Sequence, residues 1–442
     1  MRTRRALVIV VVVLGVATGC QKWSQFMGNP ALNGVQTAGS PISTATVAGL
    51  QQTFNIWYPG GLGRLSPTIE NGYLYSANRD GFYAADATGQ QNCDPSSPSC
   101  FPLWKADFPS PSSYIWVPSQ PLVSDGIVYV TIDAGGIGHL YAYDADGVTN
   151  CSGSLPARCT PLWQADVDSR GGVNVSGGVL YVADVFTQKL EAFDAKGTTG
   201  CGGTPRTCSP LWTASVQTSS TPSIANGLAY VATAEGSPAV LAYDASGSRN
   251  CSGVPKVCTP LFSTTLPGNS VGSVNVMGET GYVETLSPSR LVAFDARFSS
   301  CPVAGTSCTP SWTAPLDDPA ASTPAVAHGK VYAASQYSVA AFDAAGVDGC
   351  DTTTHTCAPL WHITPRGANE DASPMVVNDL VFVGPHAYDA NGVVGCRDGS
   401  PGVTGTVCDP LWETQMYTIR QPTVTVVDGR LFTSSLVAYE LP

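Results

Sequence analysis

Cys350 and Cys357 bracket His355 in the stretch VAAFDAAGVDGCDTTTHTCAPLWHI (339–363), and His362 follows shortly after. Two thiolates and two imidazoles form a ligand set for structural zinc, while a close cysteine pair alone reads as a redox couple or a disulfide. Recurrence decides between them. The pairs are Cys93/Cys100, Cys151/Cys159, Cys201/Cys208, Cys251/Cys258, Cys301/Cys308, Cys350/Cys357 and Cys396/Cys408, which leaves only Cys20 of the 15 cysteines. One loop alone holds a histidine, His355, and the others offer two cysteines and nothing further to complete a four-ligand site. No CxxC redox motif occurs, since six or more residues separate the partners. Local disulfides are expected in all seven loops, as staples on an exposed surface that resist fraying and proteolysis. His355 and His362 are then ordinary loop and strand residues.

No other constellation nominates a catalyst. Five histidines are spread singly, and neither an HExxH helix nor a Walker loop is present. A GxSxG nucleophile elbow is likewise not expected. Glu370 and Asp371 in RGANEDASP, and Asp317 and Asp318 in LDDPAAS, come without a recognisable calcium loop. The sequence therefore nominates no catalytic, cofactor-binding or metal-ligating residue.

The first residues, MRTRRALVIVVVVLGVATGC, place three arginines before an apolar run and small residues directly before Cys20. That is the layout of an export signal over residues 1–19, and it resembles a bacterial lipoprotein signal with Cys20 as the lipid-bearing residue. Ala17 departs from the larger aliphatic that such signals carry at its position. The run is shorter than the roughly 20 residues of a membrane-spanning helix. Taking away Arg2, Arg4 and Arg5 leaves 18 basic residues against 33 acidic, a net charge of −15. With cations scattered and few, nucleic acid is not an expected partner.

Abundant glycine (46) and proline (34) with only 12% charged residues point to many short strands. The strands repeat. An acid directly preceded by an aromatic recurs at Asp86, Asp144, Asp194, Asp244, Asp295, Asp343, Asp389 and Glu440, with Ala85 in place of the aromatic at the first. A tight-turn dipeptide precedes each, from Asn71-Gly72 through Asp125-Gly126 to Asp428-Gly429, and most can supply the positive φ of a two-residue hairpin. A cysteine pair and an aromatic strand follow seven of the acids, at Trp104, Trp163, Trp212, Phe262, Trp312, Trp361 and Trp412. Four strands per repeat of roughly 50 residues describe a β-propeller blade. The eighth repeat stops at Pro442 without its aromatic strand, and LQQTFNIWYPG (50–60), carrying Trp57, can supply it. The expectation is an all-β, eight-bladed propeller of four-stranded antiparallel blades, closed by the N-terminal strand. Its organisation is a signal (1–19), a lipidated N-terminus and lead-in (20–49) and one propeller domain (50–442). Seven blades with an appendage is the alternative. The turn acids are expected to accept backbone N–H groups of the loop that follows.

The chain resembles the pyrroloquinoline-quinone-like, or quinoprotein alcohol-dehydrogenase-like, propeller family. The residues that carry the likeness are Ser66-Pro67, Thr221-Pro222, Thr323-Pro324 and Ser373-Pro374 before inner strands, the YxxDA-G turn, the outer-strand Trp and the lead-in WSQFMGNPALNG (23–34). For a quinone-dependent dehydrogenase the resemblance implies a vicinal Cys-Cys pair, a Trp floor and a Glu/Asn/Asp cluster on calcium. Cys-Cys occurs nowhere here, so no cofactor is expected.

Binding remains. In this fold the inter-blade linkers and the loops between second and third strands share one face. They display Tyr58, Arg64, Tyr114, Trp116, Arg170, Arg366, Tyr417 and Arg420, the aromatic and arginine types that binding hot spots favour. The sequence thus reads as an exported, monomeric propeller lipoprotein, held to the cell membrane or outer membrane by its lipid anchor and facing an oxidising compartment. It would act there as a non-catalytic scaffold for an envelope protein or small ligand. A quinone-dependent oxidoreductase, or a binder of carbohydrates or other small ligands, is the alternative. The small inner-strand residues leave room for an open channel.

Overall fold

The computed structural model describes residues 22–36, 39–58, 65–78, 80–108, 115–116, 119–134, 138–167, 172–233, 236–270, 272–301, 307–319, 322–363, 372–398, 406–414 and 424–442. These residues form a ring of eight blades, each of four antiparallel strands running from the central channel to the perimeter. Blade 1 comprises Thr68–Glu70, Tyr73–Ala77, Gly81–Asp86 and Trp104–Asp107. The inner strands of blades 2 to 7 are Leu122–Ser124, Val173–Ser176, Ser223–Ala225, Asn275–Met277, Ala325–Ala327 and Met375–Val377. Blade 8 takes Thr425–Val427, Arg430–Phe432 and Val437–Glu440 from the C-terminal end and Gln51–Ile56 from the N-terminal end.

The first hairpin of each blade follows from its turn dipeptide. Asn71 and Gly72 both hold positive φ, 53° and 80°, which matches the twist of the flanking strands. The third strand ends at the repeated acid. Asp86 accepts the N–H groups of Thr88, Gln90 and Gln91 at 2.7–2.9 Å, and Asp389 accepts those of Asn391, Val393 and Val394 in the same way. The carboxylate thus serves as a local template for the loop.

Adjacent blades are joined by one repeated seam. The outer Trp104 of blade 1 lies under Gly147 of blade 2, where an added Cβ would sit 2.2 Å from the indole, and its Nε1–H donates to the Ala145 carbonyl at 3.1 Å. Trp163 and Trp212 repeat the arrangement with Gly197/Ala195 and Gly247/Ala245. Tyrosines of the second strands add a hydroxyl bond to the same carbonyls, Tyr75 to Ala145 and Tyr129 to Ala195. The glycine is required twice over, by its positive φ and by the indole against it. At the blade 4–blade 5 seam both partners change: Phe262 replaces the Trp, Phe298 (φ 56°) replaces the Gly, and the two rings stack at 4.7 Å.

The closing strand pairs with Val437–Glu440 as expected, but the seam aromatic there is Phe54, not Trp57. Phe54 stands opposite Ala438 and under Gly89, whereas Trp57 lies past the strand end and is exposed. A register shift between Gln52 and Phe54 sets which aromatic faces the seam.

Candidate functional site

The central channel is crossed by the chain's own lead-in. Residues 22–36, separate from the propeller in the sequence reading, bond to the innermost strand of every blade. Trp23 exchanges N–H and C=O with Ile69 of blade 1 at 2.8 and 3.0 Å. Val123 of blade 2 donates to the Ser24 carbonyl at 2.7 Å, and Asn174 of blade 3 donates its side-chain amide to the Pro30 carbonyl at 2.8 Å. Blades 4, 5, 6 and 7 donate in turn from Ile224 to Pro30, Val276 to Ala31, Val326 to Asn33 and Val376 to Gly34, at 2.7–3.0 Å. Gln36 finishes the circuit with its amide on the Val426 carbonyl of blade 8 at 3.1 Å. The ring of edges that would otherwise line a pore is therefore satisfied by one strand-like plug, as buried backbone groups require.

Met27 and Leu32 are buried in the plug, and both adopt positive φ. The turn they frame is closed by Gly34, whose N–H donates to the Met27 carbonyl at 3.0 Å. Sequence reasoning missed the plug role of Gln25, whose side-chain amide donates to the Asn174 side-chain carbonyl at 3.4 Å, and of Asn33 and Gln36. The available signal was an amide- and glycine-rich run without strand alternation just ahead of the first repeat.

Buried carboxylates are present but dispersed. Glu284 in blade 5 accepts from the Ser322 N–H and hydroxyl at 3.2 and 2.9 Å and from the Ala334 N–H at 3.3 Å, tying blade 5 to blade 6. Glu191 in blade 3 is pushed up to about 7 by burial, with Asp184 adding to the rise and Lys189 opposing it. Glu70 in blade 1 is raised by burial against the pull of Lys22. They stand on three different blades, and among the described residues no three His, Cys, Asp or Glu side chains form a group that could hold a metal ion. Asp317 and Asp318 follow an outer strand, while Glu370 and Asp371 lie outside the described residues.

The string GNSVG at 268–272 does match G-x-S-x-G, against the expectation of none. Among the described residues no helix follows Ser270, which lies between the strands Phe262–Thr265 and Asn275–Met277 and is buried with its hydroxyl on the Gly272 carbonyl, 3.3 Å away, so it is no nucleophile elbow.

All seven cysteine pairs are closed as disulfides, with Cys151 directly opposite Cys159 and Cys350 opposite Cys357 in short antiparallel hairpins. The hairpins do more than staple their own loops. The strand Ala157–Cys159 of blade 2 pairs in parallel with Trp104–Asp107, the outer strand of blade 1, and Lys256–Cys258 of blade 4 does the same to blade 3. Thr207–Cys208 of blade 3 pairs with the outer strand of blade 2, Ser307–Cys308 of blade 5 with that of blade 4, and Ser99–Cys100 with Gln51–Ile56 of blade 8. Thr356–Cys357 covers the outer strand of blade 5, and His355 gives its carbonyl to the Thr313 N–H at 2.9 Å. The seventh hairpin, Cys396–Asp398 with Thr406–Cys408, forms a two-stranded sheet of its own. Six of the hairpins thus cover the edge of the preceding blade, which the one-loop reading of the sequence did not foresee. His362 sits in the outer strand of blade 6.

This placement corrects the expectation of exposed staples. The first cysteine of each pair is half-buried, but the second is not at the surface: Cys100, Cys159, Cys208, Cys258, Cys308, Cys357 and Cys408 are only 1–7% exposed. The reason is that each second cysteine packs into the apolar core it shares with the preceding blade. Cys208 lies in the cluster of Trp163 and Phe193, Cys308 in that of Phe294 and Phe298, and Cys408 in that of Trp361 and Tyr388. Each bridge therefore ties a surface loop to the interior between two blades.

The expected binding face is partly placed. Tyr58 is not a surface contact: it is buried and stacked on Tyr83 at 4.5 Å, with burial raising its hydroxyl far above the usual range. Trp116 lies in the two-residue strand Ile115–Trp116, which folds back onto the end of blade 2's second strand. Arg64, Tyr114, Arg170, Arg366, Tyr417, Arg420 and the lipidation candidate Cys20 lie outside the described residues. As for a quinone, the donor set does not fit it: every described cysteine is tied up in a hairpin bridge, with no vicinal pair, and the plug occupies the channel.

The molecule is an eight-bladed propeller with Trp–Gly seams and a channel filled by its own N-terminal segment. Residues 156–346 match the family model described as outer membrane protein assembly factor BamB. The match spans less than half of the chain and, with the repeat pattern above, makes it similar to the pyrroloquinoline-quinone-like propeller proteins. BamB from Moraxella catarrhalis superimposes with a TM-score of 0.56 at 14% identity, over 88% of this chain and 96% of that one. The quinohemoprotein alcohol dehydrogenase ADHIIG from Pseudomonas putida HK5 gives 0.57 at 12% identity, over 95% and 80%. A europium-containing methanol dehydrogenase gives 0.55 at 13%, over 93% and 89%. At such identities the likeness is one of fold. No curated protein matches the sequence.

Proposed function

We propose that the protein is an exported, lipid-anchored scaffold that binds an envelope protein on its outer surfaces and carries out no chemistry of its own. The observation that carries this reading is the filled channel. The concavity in which a propeller of this family would hold a cofactor is spanned by residues 22–36, bonded to all eight blades. Recognition is then left to the faces. Seven disulfides support residence in an oxidising compartment, and the match to the assembly-factor model supports a protein partner.

Calorimetric titration of the mature domain with pyrroloquinoline quinone, with and without calcium, tests the absence of cofactor chemistry. No saturable heat is expected, and micromolar or tighter binding would overturn the reading. Photocross-linking from position 116 in intact cells then tests the partner: a discrete adduct with an envelope protein supports the scaffold. Glycan binding abolished by Trp116→Ala would instead favour a carbohydrate binder. Cys20→Ser is expected to release the protein from the membrane fraction.

A further inference from the structure

We infer that the face bearing the disulfide hairpins is the one the protein lays against the lipid surface that holds its N-terminus. The inference rests on the lipid-anchored reading above and adds an orientation to it.

The route of the chain places its N-terminal segment on the hairpin side. The Lys22 ammonium meets the Glu70 carboxylate at 3.5 Å, and Glu70 immediately precedes the Asn71-Gly72 turn of blade 1. The Gly72 carbonyl accepts the N–H of Ala87, the first residue of that blade's cysteine loop, so turn and loop share one face. Gly126 and Ala145 repeat the relationship in blade 2. The chain therefore enters the channel from the hairpin face. It leaves on the same side, where the Asn378 side-chain amide of the blade 7 turn donates to the Ser40 and Ile42 carbonyls at 2.8 Å. Cys20 precedes Lys22 by two residues, and two residues span at most about 7 Å. An acyl chain on Cys20 cannot be far from this face, whatever conformation Gln21 takes.

Independently of the chain's route, the hairpin face displays exposed aliphatic side chains. Val254 is fully exposed at 102%, and Val148, Leu155, Val347 and Val393 are 63–75% exposed. All five lie in cysteine loops, spread over blades 2, 4, 6 and 7. Val148, Val347 and Val393 occupy one repeat position, donating their N–H to the turn acids Asp144, Asp343 and Asp389 at 2.7–2.9 Å, which holds them at the loop tips. On the opposite face, the large exposed apolar side chains among the described residues are Trp57, just past the closing strand, and Phe186 and Tyr337, in the second hairpins of blades 3 and 6. Aliphatic side chains held out on cross-linked loops cannot retract into a core. Insertion among lipid headgroups is an environment that rewards their exposure, and it gives a short lipid tether the second contact that fixes orientation. The linker face with Trp116 is then turned toward the aqueous compartment and its partner.

The test fixes the tether by chemistry. The full mature chain, unacylated, is coupled through the Cys20 thiol to a maleimide phospholipid in phosphatidylcholine–phosphatidylethanolamine vesicles containing brominated acyl chains. Val254→Trp and Val393→Trp are compared with Phe186→Trp and Tyr337→Trp, the unsubstituted protein supplying the background emission. The added emission should be blue-shifted and largely quenched for the first pair and unaffected for the second. Quenching of the second pair, of both pairs alike, or of neither would overturn the orientation; the last result would leave the valines to a protein partner. Because coupling replaces acylation, this outcome does not depend on whether cells lipidate Cys20. That is read separately, from the mass of the Cys20 peptide isolated from membranes.

Discussion

The side-chain amide of Gln36 donates to the Val426 carbonyl at 3.1 Å, joining residues 390 apart in sequence. This bond sits at the inner edge of blade 8, while Gln51–Ile56 forms the outer edge of the same blade. The N-terminal segment therefore clasps the last blade from both sides, and ring closure and channel filling are one structural event.

The tightness of the plug is testable at Gly34. Its φ is +70°, and an added Cβ would stand 2.4 Å from the Met27 methyl and 2.8 Å from the Ala325 Cβ. Gly34→Ala should cost about 2–4 kcal/mol in denaturant unfolding, strain and overpacking together. Gly126→Ala serves as control: its φ is +74° but nothing lies within 4 Å, so about 1 kcal/mol is expected. Equal costs would mean that the plug is loosely held.

The blade 4–blade 5 seam predicts a rescue. Phe298→Gly empties the space beside Phe262 and should destabilise by about 3–5 kcal/mol. Adding Phe262→Trp rebuilds the Trp–Gly pair used at Trp212/Gly247 and should recover most of that loss. A double-mutant cycle measures it, and additive costs would refute the exchange.

Glu191 gives stability a pH dependence near neutrality. Its carboxyl moves from the usual 4.5 to about 7, chiefly through burial. Between those values the folded state keeps a proton that the unfolded chain has released, so stability falls as pH rises through this window and levels off above it. Glu191→Gln should remove that slope and stabilise the protein at pH 8 by an amount on the order of 1–3 kcal/mol. Melting temperatures across the window are the readout, and a parallel profile for the variant would contradict the assignment.

Asp194 works in the opposite sense. Burial pushes its carboxyl up, but bonds from Thr198, Thr199 and Lys196 outweigh this and hold it at about 2. Its contribution is complete above the ordinary carboxylate range and is lost as pH falls toward that value. Asp194→Asn should lower the neutral-pH melting temperature and flatten the acid limb, with faster amide exchange at Thr198 and Thr199. Unchanged exchange there would show that the carboxylate does not template the loop.

Much of the architecture is legible in particular residues. The Asn71-Gly72 turn, the acid at Asp86, the pair Cys93/Cys100 and Trp104 each act within a few residues or recur once per blade, so spacing alone reveals them. The candidate binding surface was less legible. Tyr58 reads from sequence like any rim aromatic, and only its stack on Tyr83 shows that it belongs to the core. Cys208, Cys308 and Cys408 likewise read as the ends of surface loops, and only the neighbouring blade shows them to be buried.

By itself the sequence determined blade number, the cysteine partners and the closure by an N-terminal strand, found at Gln51–Ile56, because turns, hairpins and short loops are set by local conformational preference. Only the tertiary structure decided that Phe54 rather than Trp57 takes the last seam, that Phe298 compensates Phe262, and that residues 22–36 fill the channel. Each of these depends on register or on backbone groups meeting across long stretches of chain. Carbonyl and N–H groups are the same at every residue, so contacts between them leave no periodic mark in the sequence.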